Sequence, residues 1–79
     1  MLKNLIDWQT HDPKESDGVV ARTELGNFVY EIIEASPDEY HLMEYNIAAG
    51  ESYRHDTPAD ATIDDLKKYL INHRMEPIL

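Results

Sequence analysis

The side chains best suited to bind a metal or move a proton in this 79-residue chain are four histidines, two of them in the pairs His11-Asp12 and His55-Asp56. Metal sites need ligands at close or helical spacing, such as two histidines four apart on one helix, and no pair here has it. His11 and His55 fall in segments that read as loops, His41 in a strand and His73 at a helix end. No structural metal and no cofactor are expected. The chain has no cysteine, so a nucleophile would have to be Ser16, Ser36, Ser52, a threonine or a lysine. None of these sits in an elbow-like context. Glu31 and Glu44 remain as a candidate carboxylate pair facing each other across strands. Two ionised neighbours would push one pKa up, the physical mark of a general acid/base site. An open sheet face offers no pocket to desolvate them, however, and Arg22 lies alongside. The expectation is a solvated face and no enzyme activity.

The elements that position these residues begin with the stretch from Val19 to Ile47, three strand-like runs joined by two turns. Gly26-Asn27 suits a two-residue hairpin, because glycine at the first central position supplies the positive φ of a type II′ turn. That register sets Leu25 opposite Phe28, Thr23 opposite Tyr30 and Ala21 opposite Ile32 on an apolar face. The other face then receives Glu24 against Val29, Arg22 against Glu31 and Val20 against Ile33, and the Arg22–Glu31 pair suits a solvated surface. A longer turn, Ala35 to Glu39, leads into a third strand from Tyr40 to Ile47. Pairing Ile32 with Met43 brings Tyr45 opposite Tyr30 and Ile47 opposite Phe28, which keeps the core face continuous. A slip of one residue would put Glu44 and Asn46 inside, so the hydrophobic pattern favours the first register.

In that arrangement the outer face holds Arg22, Glu24, Glu31 and Glu44 beside an apolar strip of Val20, Ile33 and Leu42, with Tyr40 near it as an anchor. Wet sheet faces are usually more polar than this. These eight residues are the candidate partner-binding surface, with Tyr53 as a further interface anchor beside it. The competing reading is that the amino-terminal segment or the carboxy-terminal tail packs there.

The rest of the chain is connection and cover. Leu5 to Gln9 is a short apolar run, and Trp8, the only tryptophan, is expected to close one end of the core. His11 to Gly18 is rich in turn formers and reads as an exposed connection. Ala48 to Glu51 is a further turn, and Ser52 to His55 a short edge strand whose brevity and Arg54 discourage unwanted pairing. Thr62 is a natural helix N-cap, with Asp65 as a shortened capping-box partner. Ile63, Leu66, Leu70 and His73 share one helical face, with Tyr69 beside them. Asp64 and Asp65 sit at the positive end of the helix dipole, His73 and Arg74 near the negative end. The helix should run from Thr62 to about Arg74, since Pro77 biases Glu76 out of the helical region. The apolar tail Met75 to Leu79 is expected to fold back onto the sheet. The expected fold is thus α+β: an antiparallel meander of four or five strands with one carboxy-terminal helix on one face, in a single domain spanning 1–79.

Charge narrows the classes of function. Sixteen acidic residues against seven basic ones give a formal charge of −9, so direct nucleic-acid binding, which depends on neutralising phosphates, is not expected. From Glu24 to Asp65 there are eleven acids and one base, Arg54, a field that would steer encounters with basic surfaces. No apolar run approaches a membrane span, and the amino terminus is too quickly polar for a signal peptide, so cytoplasm is the expected location.

Trp8, the run Val20 to Ile32, Tyr40-His41-Leu42 and Ala61 to Tyr69 form an ordered series. It resembles the small uncharacterised proteins of phages, prophages and other mobile elements, which carry a tryptophan, an A-x-T-x-L-G-x-Y hairpin and a closing helix with a threonine cap. The chain departs from that pattern at Phe28, with Tyr30 two places later, and in its longer second turn. The resemblance implies a fold and a mobile-element origin, and it transfers no active site. With the acidity it implies a host-cytoplasm accessory protein, similar to anti-CRISPR and other anti-defence inhibitors. Such a protein would bind a host or phage protein with a basic surface, its carboxylates standing in for phosphates at a nucleic-acid-handling target. The alternative expectation is a structural module that self-associates as a homodimer through the outer sheet face or an edge strand.

Overall fold

A computed structural model describes residues 6–74 of the chain. Five antiparallel strands form one sheet in sequence order: β1 Gln9–Thr10, β2 Val19–Leu25, β3 Phe28–Ser36, β4 Glu39–Asn46 and β5 Glu51–Arg54. One helix follows, α1 Ile63–Arg74. This is the α+β meander expected, with the helix against one face of the sheet. The amino-terminal residues 1–5 and the tail from Met75 to Leu79 lie outside the described residues.

The first hairpin follows from its turn chemistry. Gly26 has φ +67°, and the pairs Leu25–Phe28, Thr23–Tyr30 and Ala21–Ile32 form as the glycine-first turn dictates. At its far end the expected pairing of Val20 with Ile33 does not occur. Val19 pairs with Ile33 instead, leaving Val20 as the extra residue of a β-bulge. The bulge turns Val20 from the outer face to the core, where it packs against the buried cluster.

The second hairpin departs further. β3 continues to Ser36, so the loop is only Pro37-Asp38, with Pro37 fixing a negative φ and Asp38 at φ +65°, a conformation aspartate tolerates. Ser36 pairs with Glu39, in step with the register expected from the sequence. A bulge at Ala35 then shifts every later pair by one. Ile32 therefore faces Leu42, Tyr30 faces Glu44 and Phe28 faces Asn46. The slip that the hydrophobic pattern disfavoured is the one adopted. Leu42 becomes fully buried, while Met43 and Tyr45 go to the outer face.

The core comprises Ala21, Tyr30, Ile32 and Leu42 from the sheet and Ala61, Leu66 and Leu70 from the helical segment, with Ile6, Trp8, Phe28, Tyr40, Ile63 and Tyr69 packed around it. The helix starts where the cap places it. The Thr62 amide donates to the Asp65 carboxylate at 3.0 Å, and the Asp65 amide donates to Thr62 Oγ1 at 3.1 Å, a reciprocal capping box.

Candidate functional site

Directly opposed residues in an antiparallel sheet share a face, so the pairings assign both faces row by row. The helix side carries Thr23, Tyr30, Glu44 and Tyr53 in one row, and Ala21, Ile32 and Leu42 in the next. The outer side carries Gln9, Arg22, Glu31, Met43 and Arg54 in its central row. Glu24, Val29, Tyr45 and Ser52 flank that row on one side, and Val19, Ile33 and His41 on the other.

Four of the eight partner-binding candidates, Arg22, Glu24, Glu31 and Ile33, do share the outer face. The other four do not. Val20 is turned inward by its bulge, and Leu42 and Glu44 are inward because the Ala35 bulge shifted β4. Tyr40, opposite Glu34, packs against the core. Glu31 and Glu44 consequently lie on opposite faces and form no carboxylate pair. Met43, Tyr45, His41 and Arg54 take the vacated places.

No described element covers this outer face, because the helix and the segment from Ile6 to Trp8 both pack on the other side. Val29 at its centre is only 5% exposed, so Ile33, Met43 and Tyr45 are its accessible apolar residues. Arg22 holds the charged part together, reaching Glu24 at 2.8 Å and Glu31 at 3.6 Å. Tyr45 hydrogen-bonds Glu31, and its hydroxyl pKa is raised first by burial and then by the Glu31 charge. Two carboxylates and two guanidiniums leave the face near charge balance, with Val29, Ile33, Met43 and Tyr45 as its apolar middle.

The inward Glu44 defines a second constellation. Its Oε1 lies 2.8 Å from Nε2 of His55, and Nδ1 of His55 lies 3.1 Å from the Tyr69 hydroxyl. An ionised carboxylate can only accept, so Nε2 carries the proton, and in the neutral ring Nδ1 accepts from the Tyr69 O–H. His55 is 5% exposed and ringed by aromatic side chains. Tyr53 stands edge-on at 4.9 Å, Tyr69 at 5.4 Å and His73 at 5.5 Å between centroids. His73 also stacks on Tyr69 at 4.9 Å, the four-residue spacing that the helix provides.

A carboxylate, an imidazole and a hydroxyl in series have the connectivity of a nucleophile-activating triad. Here the hydroxyl is held the other way. Burial, then the neighbouring Tyr53, Asp56 and Glu44, raise the Tyr69 pKa, which keeps the phenol protonated rather than activating it. What the series does is tie β4, the segment after β5 and α1 together through hydrogen-bonded polar groups. It also explains how a sheet can face Glu44 toward its helix. The sequence reading missed it because the expected register put Glu44 on the outer face, away from His55. The available signal was the alternation Tyr53-Arg54-His55, which puts Tyr53 and His55 on one face, beside an inward glutamate that needs a partner.

Among the described residues no group of three or more His, Asp or Glu side chains is arranged to hold a metal ion. No described helix is long and apolar enough to cross a membrane. The chain matches no family model, no curated protein and no solved structure.

Proposed function

We propose that the chain is a protein-binding module that docks a partner with a net-basic surface on the uncovered outer face of its sheet. The observation that carries this reading is the character of that face. Its middle is apolar and aromatic, three of its four charged side chains are already paired through Arg22, and no described helix or strand lies over it. Interfaces favour this mixture, since apolar and aromatic anchors gain from burial while pre-paired charges add little desolvation cost. The basic character of the partner is inferred from the whole-molecule charge of −9, which acts at long range and steers encounter.

Within this reading the module is a non-enzymatic accessory protein of the phage or mobile-element type, acting in the host cytoplasm to obstruct a nucleic-acid-handling protein. The acidity supports that role; the face itself supports docking. Because Glu44 is turned inward and Arg54 sits on the outer side, carboxylate mimicry of phosphates belongs to the molecule's overall field and not to a cluster on the sheet.

The test is affinity capture from the source cells, followed by binding measurements with the recovered partner in purified form. Ile33→Asp and Met43→Asp should each weaken that complex by about tenfold or more, the loss of a buried apolar anchor. Asp64→Lys, on the exposed side of α1, should change only the salt dependence. Equal weakening by all three variants, or by none, would reject the outer face as the docking surface.

A further inference from the structure

The edge of the sheet formed by β5 carries a self-complementary strand, and we infer that two copies of the chain pair there, antiparallel, about a two-fold axis through Tyr53. The inference stands apart from the docking role of the outer face. His55 N–H donates to the Leu42 carbonyl at 2.9 Å, and Tyr53 faces Glu44 while Glu51 faces Asn46. Backbone groups along a strand alternate in direction, so Glu51, Tyr53 and His55 point to β4, and Ser52 and Arg54 point away from it. Among the described residues nothing pairs with that outward edge, and all four residues of β5 are exposed. Open depressions of about 350 and 250 Å³ flank it on its two sides.

Three in-line registers would let outward residues meet outward residues across a two-fold axis. Centring on Ser52 sets Ser52 against Ser52 and gives up the Arg54 end of the strand. Centring on Arg54 opposes two guanidiniums, which is repulsive. Centring on Tyr53 sets each Ser52 against the other copy's Arg54, so both outward residues of both strands form hydrogen-bonded pairs. The same register stacks Tyr53 on its counterpart. Tyr53 is 57% exposed in the single chain and lies against the buried His55 ring, so the pair would extend an aromatic layer already begun. The product is a ten-stranded sheet bearing two copies of the outer face, a bivalent form of the docking surface.

Such an interface is small, and each copy carries a charge of −9. The association is therefore weak, and salt strengthens it by screening the repulsion. Multi-angle light scattering between about 10 µM and 1 mM should show the mass rising from 9.2 kDa toward twice that value. The rise should be larger at higher ionic strength. Ser52→Pro removes an outward N–H, which an edge strand tolerates, and should hold the chain monomeric with an unchanged circular dichroism spectrum. As the chain has no cysteine, Tyr53→Cys should cross-link to itself on oxidation, while Ile47→Cys, equally exposed but off the axis, should not. A monomer throughout the range, a dimer that survives Ser52→Pro, or equal cross-linking of the two cysteine variants would each overturn the inference. None of these outcomes depends on whether Ile33→Asp or Met43→Asp affects a partner.

Discussion

At His55 the chain places a nearly buried imidazole between a carboxylate and a phenol. Removing the ring leaves a cavity and strands both partners, so His55→Ala should lower stability by about 2–4 kcal/mol in urea unfolding. Tyr69→Phe removes only the hydroxyl and should cost about 1 kcal/mol. The two tyrosines with raised pKa values, Tyr69 and Tyr45, also give a pH dependence with a definite sign. In the unfolded chain they ionise near 10, while the folded protein keeps them neutral to higher pH. Their contribution is intact below that value and is lost as pH rises through the folded-state pKa. Thermal melts across pH 9 to 11.5 (roughly the span of tyrosine ionisation) should show falling stability, with Tyr69→Phe flattening the fall. An unchanged slope in that variant would contradict the buried placement of the hydroxyl. Little of this cluster was legible beforehand, because the histidine and its two partners come from three separate segments and only the folded register brings them together.

Among the elements, the helix and the first hairpin could be read from the chain, for a local reason: Gly26 and the pair Thr62–Asp65 act within four residues of themselves. Thr62→Ala should destabilise by about 1 kcal/mol, the usual worth of an N-cap, read as a loss of helical circular dichroism on heating. The Asp65 carboxyl is held below its ordinary range chiefly by the Thr62 amide. Its support of the cap is therefore present above about pH 4 and is lost as acid protonates it in the folded state. The second hairpin was misread because a hydrophobic pattern assigns faces only if the strands stay in step. Ala35 breaks that step, and nothing in its residue type announces a bulge. Both registers also satisfy much of the pattern, since Leu42 and Met43 are adjacent and each is apolar. The shifted register wins because Leu42 is sealed in the core and the inward Glu44 finds His55. Deleting Ala35 removes the extra residue and leaves Ser36–Glu39, Glu34–Tyr40 and Ile32–Leu42 in step, so the variant should keep the observed register, with Leu42 buried and Glu44 against His55. The expected outcome is a stability within about 1 kcal/mol of the parent in urea unfolding. A deletion variant that unfolds, or that parts Glu44 from His55, would contradict this account of the register.

For the whole molecule, the sheet separates two kinds of surface. One face is committed to the helix and closed by the His55 network; the other is open, apolar at its centre and nearly neutral within a strongly acidic protein. Encounter with a basic partner should slow steeply as salt is raised, while dissociation, governed by the apolar contacts, should respond little. Stopped-flow association and dissociation rates at two ionic strengths separate these contributions. The central claim, that partners engage the outer face, is tested most directly by amide and methyl chemical-shift mapping of the labelled chain on addition of the captured partner. Shifts should concentrate at Arg22, Glu31, Ile33, Met43 and Tyr45, with Leu66, Leu70 and Tyr69 undisturbed. Shifts centred on α1 and the His55 network, with the outer rows unmoved, would contradict it.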